Sequence, residues 1–370
     1  MRPSLNKLAS SMVSGITYDI LAFLIVISVI VLIHEFGHFI TAKKMGVKVE
    51  KFSLGFGPKI FGRQIGETEY VISALPLGGY VKLLGEDPSE ELSPEDRNRS
   101  YSNLPPYKKF LIIFFGPFFN FILAAVIFTV IFMAGKPVLK PVIGGVMKGH
   151  PAIKAGLKKG DVIASINGIK VKSWAGLSKY IEKFGKHTLT LKVKENNIIR
   201  NIKLKPELTT GLNIYGQKIK RYIIGITPSN KAVFYKYDGL WSSFYSAVKE
   251  IWFIIYITVV SLFYLITGKL PSSDLGGPIM IAQLSGRAAS LGVSDFFYFI
   301  AFISVNIGLV NLFPVPALDG GHLLFSVIEM VKRSPLSVKF QENAAKVGFA
   351  LLIILLLFVS YNDIIRAIKT

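Results

Sequence analysis

The sequence predicts a polytopic α-helical membrane protein that carries a β-rich segment and one small soluble domain. Hydrophobic residues make up 51% of its 370 residues, and its mean hydropathy is +0.48. A stretch of different texture, residues 138–206, is Lys-rich and contains short alternating strands. Apolar runs long enough, or nearly long enough, to cross the hydrocarbon core lie near residues 18–40, 110–134, 251–267, 296–316 and 348–360.

The charge balance indicates a membrane partner rather than a nucleic acid. The chain has 43 Lys and Arg against 23 Asp and Glu, a net charge of +20. Because this excess accompanies long apolar runs, we interpret it as attraction to anionic lipid head groups and expect no nucleic-acid partner. Cysteine is absent, so any metal site must use His, Asp or Glu.

The first apolar run is predicted to be a retained transmembrane helix. It lacks the small-residue cleavage site of a signal peptide, and ionisable residues lie near its far end. The positive-inside rule places the N-terminus outside and the next segment in the cytoplasm. This orientation follows from Lys43, Lys44, Lys48 and Lys51 after the run, against Arg2 and Lys7 before it.

A β loop is expected on the cytoplasmic side, in residues 46–107. Turn-forming Gly and Pro residues flank β-type stretches such as residues 69–73. Residues 86–106 are rich in Pro, Ser and Glu and are expected to form a mobile loop. An exposed edge around Tyr70–Leu84 could accept an extended peptide as an added strand, although a purely structural hairpin is the alternative.

A metal-binding pattern, His34-Glu35-Phe36-Gly37-His38, ends the first run. On a helix the two His side chains share one face, where they can chelate Zn²⁺ while Glu35 acts as general base. The preceding stretch, Ile20–Ile33, is almost wholly apolar. Each ionisable group deep in a bilayer costs about 2.5–3.5 kcal/mol, so three together indicate a compensating role such as zinc coordination.

A catalytic zinc usually takes a third protein ligand. The extended soluble pattern fails, because Thr41 and Lys44 occupy the positions that need Gly and His. The remaining candidates are Asp319, at the end of an apolar run, and His322 close behind it. Asp319 could instead be a helix cap at the membrane boundary, so the residues alone leave the choice open.

The topology of residues 251–267 decides whether Asp319 can reach His34. If this run crosses the membrane and 296–316 then runs outward, Asp319 ends on the far side. If it lies in the interface, Asp319 arrives beside the two His. The run has about 17 residues. It is flanked and punctuated by residues typical of the interface, namely Trp241, Tyr245, Trp252, Tyr256 and Tyr264. Shared zinc coordination therefore predicts four spanning helices and one interfacial helix.

The soluble stretch contains Ala155-Gly-Leu-Lys-Lys-Gly-Asp161, followed by a strand that ends in Asn167-Gly168. This resembles a PDZ domain of the bacterial protease type over residues 138–206. Such domains bind an extended peptide or protein end by strand addition, and we expect this one to be extracytoplasmic. The alternative is a small packed β-domain that acts as a spacer.

Taken together, the motifs resemble the site-2 protease family of intramembrane zinc metalloproteases. They are His34-Glu35-x-x-His38, Gly116-Pro-Phe-Phe-Asn120, the PDZ-like stretch and Asn311-x-x-Pro-x-Pro-x-Leu-Asp319-Gly320. The resemblance implies that Asp319 is the third zinc ligand and that segment 116–120 forms a bend near the site. It also implies that Asn306, Asn311 and Asn120 contact the substrate. The best-studied members carry two tandem PDZ domains, whereas this chain has room for one.

The resemblance further implies a multi-pass protein of the bacterial inner membrane. Its substrates would be single-span membrane proteins, such as an anti-sigma factor or a signal-peptide remnant. A zinc transporter and a membrane-anchored PDZ scaffold with a degenerate metal site are the rival interpretations. The expected segments are 1–45, 46–107, 108–134, 138–206, 207–270 with the interfacial helix, 271–333 with the third span, and 345–368 with the fourth.

Overall fold

The computed structural model describes residues 5–86, 92–195, 198–212 and 218–369. Arg2 and residues 87–91 of the expected mobile loop lie outside these ranges. The chain divides into two compact units. We call residues Met1–Ile131 with Trp241–Thr370 the helical unit, and residues Phe132–Leu240 the β unit.

Nine α-helices lie within the described residues, and most belong to the helical unit. Five of them are long and apolar enough to cross a membrane, which confirms the prediction of a multi-pass membrane protein. The helices are α1 (Leu5–Lys44), α2 (Pro106–Gly135), α3 (Pro151–Lys154), α4 (Trp174–Phe184), α5 (Leu240–Ile266), α6 (Pro278–Leu291), α7 (Val293–Asn311), α8 (Asp319–Lys332) and α9 (Val338–Lys369). The five candidate spans are Gly15–Lys44, Pro106–Gly135, Leu240–Ile266, Val293–Asn311 and Val338–Ile368.

Helix α5 runs alongside α7 in the same direction. Tyr298 donates a hydrogen bond to Glu250, and Thr258 donates one to Asn306, so both contacts join residues 48 apart in sequence. Eight residues of helix rise about 12 Å, and the two helices stay in register over that length. The 27-residue α5 is also longer than the apolar run within it. Helices α5 and α7 are therefore parallel neighbours over this length.

Helix α6 returns the chain between α5 and α7. It lies against α1 in the opposite direction, since Gly286 meets Asp19 while Ile281 packs into a cluster with Val26 and Ile30 of α1. The same cluster contains Ile300 and Ile303 of α7. Helices α1 and α7 therefore approach the same end of the helical unit, which brings the residues that follow α7 to His34.

The β loop is one bent antiparallel hairpin of two long strands, β1 (Val49–Ile65) and β2 (Thr68–Leu83). Residues 51–54 of β1 pair with 69–72 on one side and with 79–82 on the other. Residues 59–65 in turn pair with 68–73. The hairpin therefore forms four strand segments, whose edges are 59–65 and 79–83. Tyr70–Ile72 are interior strand residues. Of the segment Tyr70–Leu84, which was expected to present an edge, only the second half forms one.

The β unit is built around a four-stranded antiparallel sheet in the order β6-β5-β7-β8. Its inner face and helix α4 bury one apolar core that extends as far as Ile224. The unit thus contains residues 138–206 and continues beyond them. Its strands are β3 (Lys136–Leu139), β4 (Ile143–Val146), β5 (Val162–Ile166), β6 (Ile169–Lys170), β7 (Leu189–Glu195), β8 (Ile198–Leu204), β9 (Glu207–Leu212), β10 (Lys218–Ile223), β11 (Ile226–Pro228) and β12 (Val233–Lys236).

Candidate metal centre

Helix α1 presents two imidazoles to one point. His34 and His38 are one helical turn apart, and their Nε2 atoms lie 3.2 Å from each other. The rings meet edge to face with centroids 4.8 Å apart. Because the two Nε2 lone pairs converge, the pair can chelate a single cation. Glu35, the next residue in the motif, lines the same cavity.

Asp319 comes to this point from the start of α8. Its Oδ2 lies 3.0 Å from His34 Nε2, and its Oδ1 lies 3.7 Å from His38 Nε2. The turn before α8 is tight, because a β-carbon on Gly320 would lie 2.0 Å from the Phe313 carbonyl oxygen. A β-carbon on Gly321 would lie 2.4 Å from Pro316 Cα. Glycine at both positions lets the chain fold back and present the carboxylate.

His322, the rival third ligand, lines the cavity but lies outside the three-residue cluster. The ligand atoms of His34, His38 and Asp319 all lie within 4.8 Å of one another. His322 instead packs edge to face against Phe325, and burial lowers its pKa. The geometry therefore favours Asp319 over His322.

The donor set fits a zinc ion. Two imidazole nitrogens and one carboxylate oxygen are a usual protein ligand set for catalytic zinc. Asp319 Oδ2 is buried without a hydrogen-bond partner among the described residues, which is costly unless a cation satisfies it. Burial alone would raise the pKa of Asp319, but the neighbouring imidazoles of His34 and His38 lower it by more. The carboxylate is therefore held ionised, the form that binds metal.

Each imidazole has a partner on its outer nitrogen. His38 Nδ1 donates to the carbonyl of Ile112 at 2.9 Å. His34 Nδ1 lies 3.2 Å from the amide nitrogen of Asn120, whose Oδ1 is buried without a partner. The side-chain amide of Asn120 can be flipped, because its oxygen and nitrogen positions are nearly equivalent in shape. In the flipped orientation, Oδ1 accepts a hydrogen bond from His34 Nδ1. Both His then keep Nε2 free for a metal, the usual outer-shell arrangement.

The asparagines predicted to contact substrate lie in different surroundings. Asn120 is fully buried against His34, a position that favours orienting the imidazole. Asn306 accepts from Thr258 and donates to the Phe302 carbonyl on α7. Asn311 is half-buried at the last residue of α7. Asn311 is thus nearest in sequence to the turn that carries Asp319.

Replacing Asn120 with Ala is expected to weaken zinc binding by about 10–100-fold, because outer-shell partners of a ligating His contribute that much. Asn120→Asp keeps an oxygen that can accept from His34 Nδ1 and should retain most of the affinity. Zinc affinity is measured by competition with a chelator of known affinity. Equal loss in both variants would show that the amide group, rather than its oxygen, is needed.

Two glycines allow α1 and α2 to cross closely at the site. A β-carbon on Gly37 would lie 2.2 Å from the Phe115 carbonyl oxygen, and one on Gly116 would lie 2.2 Å from His38 Nε2. Neither contact leaves room for a methyl group. The sequence motifs indicate no role for Gly37. Ser304 donates to the Asn120 carbonyl at 2.9 Å, and it too belongs to no sequence motif.

The cluster lies in a cavity of about 380 Å³. One wall is the edge segment 79–83 of the β loop, and a β-carbon on Gly79 would lie 3.3 Å from Glu35 Cγ. An extended chain added to this edge would therefore run beside Glu35. The other lining residues are mainly polar and include Glu86, Tyr101, Lys109, Glu329 and Gln341, which makes the cavity compatible with water.

Comparisons with known proteins find zinc metalloproteases among the relatives of this chain. Cj1068 of Campylobacter jejuni, which carries the name zinc metalloprotease, is 37% identical over 99% of both chains. The regulator of sigma-E protease RseP of Salmonella typhimurium is 30% identical, over 95% of this chain and 99% of its own. The PDZ domain of an SdrC-like protein from Listeria monocytogenes matches 25% of this chain and 90% of its own, at 26% identity and a TM-score of 0.20.

The match to a family model extends over nearly the whole chain. The model, described as Peptidase family M50, matches residues 22–355. This range includes the His34-Glu35-x-x-His38 motif, Asn120 and Asp319. The resemblance drawn from the motifs is thereby confirmed, and the chain belongs to peptidase family M50, the site-2 protease family of zinc metalloproteases.

Proposed function

We propose that this chain is an intramembrane zinc endopeptidase that cleaves single-span membrane proteins. The observation that supports it most is the convergence of His34, His38 and Asp319 beside Glu35, in a cavity among apolar helices. The two imidazoles and the carboxylate would hold the zinc. When bound, zinc supplies a Lewis acid that polarises the scissile carbonyl and lowers the pKa of water toward about 7.

The chain's own residues perform the proton transfers. Glu35 takes a proton from the attacking water and delivers it to the leaving amide nitrogen. Asn120 and the Ile112 carbonyl orient the two imidazoles. A helical substrate hides its carbonyls in backbone hydrogen bonds, so it must unwind before attack. Among the described residues no further strand pairs with the edge segment 79–83, so the unwound stretch can pair there as an added strand.

The relatives suggest the substrate class and the location. RseP is named a regulator of sigma-E protease, and by analogy we assign this chain to the bacterial inner membrane with a role in regulated intramembrane proteolysis. An anti-sigma factor or a signal-peptide remnant fits a single-span substrate. The β unit would be extracytoplasmic, would belong to the PDZ type over residues 138–206, and would read a newly exposed peptide end or restrict access.

For the topology, we propose that α1, α2, α5, α7 and α9 span the membrane and that α5 and α7 enter it from the same side. The parallel contacts Glu250–Tyr298 and Thr258–Asn306 support this direction. The chain has no cysteine, so single introduced cysteines report accessibility cleanly. Trp241→Cys and Val293→Cys should react with an impermeant thiol reagent from one side and Thr267→Cys from the other. Reaction of all three from one side would instead support an interfacial α5.

Reconstitution in liposomes separates a protease from a zinc transporter. Purified protein is incorporated with a single-span substrate, and peptide products and zinc entry into the lumen are followed in parallel. We expect specific cleavage products and no zinc flux above that of empty liposomes. Zinc flux without cleavage would support the transporter. Zinc binding with neither activity, on several single-span substrates, would support a scaffold.

A further inference from the structure

The positive charge of the chain is concentrated in the β unit. Between Phe132 and Leu240 the sequence has 21 Lys and Arg against 5 Asp and Glu. This unit therefore carries +16 of the net +20, although it contains fewer than a third of the residues. The remainder of the chain is nearly balanced. The attraction to anionic head groups inferred from the composition is therefore located in the β unit. The zinc site does not explain this concentration of charge.

Four lysines share the outer face of the four-stranded sheet. In β7 the side chains of Leu189, Leu191 and Val193 enter the core, so Lys192 and Lys194 point away from it. In the strand register Lys203 lies opposite Thr190, which is on the same face of β7 as Lys192. Ser165 of β5 pairs with Lys192 on one side and with Lys170 on the other, so Lys170 also lies on this face. We call Lys170, Lys192, Lys194 and Lys203 the lysine face. With strands about 4.8 Å apart, the four positions lie within about 15 Å of one another.

The carboxylates of the unit lie elsewhere. Glu195 pairs with Arg200 and Lys158, and Asp161 accepts from the Lys158 backbone. Glu207 pairs with His150, and Asp238 with Lys236, while Glu182 lies on α4. Within the described residues, no ion pair involves any of the four lysines of the lysine face. Their charges are therefore available to an external anion.

An exposed apolar side chain lies among these charges. Ile199 pairs with Lys194 on the lysine face and is 58% exposed. Lysines whose stems extend along apolar surface while their ammonium groups reach phosphates are typical of a lipid interface. We propose that the lysine face binds the anionic phospholipid surface of the membrane. An acidic polypeptide would be attracted by the lysines, but it would gain nothing from the exposed Ile199 beside them.

The magnitude is sufficient for a persistent contact. A lysine near an anionic bilayer surface contributes roughly a fivefold gain in the binding constant, so four contribute up to several hundred-fold. The β unit is also joined to candidate spans at both ends, through α2 and α5. Such tethering keeps its effective concentration at the membrane high. Binding is expected to weaken with salt, since the screening length falls from about 8 Å at 0.15 M to about 3 Å at 1 M.

The test uses the full chain in nanodiscs, with a fluorophore on a single introduced cysteine. Asn201→Cys lies on the lysine face opposite Lys192. Ala175→Cys lies on α4, on the other side of the core, and serves as the control position. Brominated lipid is the quencher, in discs of phosphatidylcholine alone or with phosphatidylglycerol. We expect quenching at position 201 only in discs that contain phosphatidylglycerol, its loss at 1 M salt, and none at position 175.

Charge-matched variants complete the test. Replacing the four lysines of the lysine face by Gln should abolish the quenching at position 201. The same four-charge reduction at exposed lysines off this face should preserve it, using Lys154, Lys159, Lys179 and Lys186. Quenching that is equal in neutral discs, or that survives the lysine-face substitutions, would overturn the proposal. If polyglutamate alone shields the fluorophore at position 201, and its quenching does not depend on lipid charge, the proposal would be overturned in favour of an acidic polypeptide partner.

Discussion

Substitution of Glu35 by Gln is expected to lower the rate of substrate cleavage by about 10²–10⁴-fold, the usual contribution of a general base. Zinc content should stay at the wild-type level, because Glu35 lies outside the His34–His38–Asp319 cluster. Gln keeps the size of the side chain but cannot accept and deliver the proton. The measurement is cleavage of a single-span substrate in detergent, with zinc determined on the same sample.

Glu86→Gln is the matched control, because Glu86 also lines the cavity but lies outside the motif. Its cleavage rate should remain within a few-fold of wild type, on the order of 1 kcal/mol or less in the activation barrier. If the two variants lost activity equally, charge in the cavity would matter in general, and Glu35 would have no special role as the base.

Replacement of Asp319 by Ala is expected to remove zinc at concentrations that saturate the wild type. It deletes one of three ligands, so the loss of affinity should exceed the 10–100-fold that an outer-shell partner contributes. His322→Ala should leave zinc content unchanged, because His322 packs on Phe325 away from the three converging atoms. Zinc content after dialysis against a weak chelator compares the two variants.

The opposite pattern would identify His322 as the ligand and Asp319 as a helix cap. Because loss of zinc can also destabilise the fold, the thermal unfolding of both variants should be followed with excess zinc present. A folded Asp319→Ala protein that binds wild-type zinc would contradict the site described here.

The parts of the site that could be predicted from sequence are those that one helix turn defines. His34 and His38 share a face because of their spacing alone, and the resemblance added Asp319. The pairing of Asn120 with His34 joins residues 86 apart, and it could not be read from local spacing. The close approach of Gly37 and Gly116 likewise depends on how two helices cross.

The same distinction holds for the fold. Long apolar runs identified α1, α2, α7 and α9 because membrane insertion selects for uninterrupted apolar sequence. Helix α6 was missed, because its 14 residues include Gln283, Ser285 and Arg287 and form no apolar run. Without a returning helix such as α6, an α5 that crosses the membrane would leave Asp319 on the far side from His34, which is why the sequence favours an interfacial α5. The bent register of the β loop was not predicted either. Residues 51–54 pair on both sides, whereas the alternation of apolar and polar residues specifies only which face of a strand is buried.

The central claim is that a zinc ion held by His34, His38 and Asp319 is required for proteolysis. The most direct measurement determines zinc content and cleavage on one preparation, before chelation, after it, and after zinc is restored. We expect about one zinc per chain, loss of both zinc and cleavage with the chelator, and recovery of both on adding zinc. Undiminished cleavage by the zinc-free protein would contradict the account.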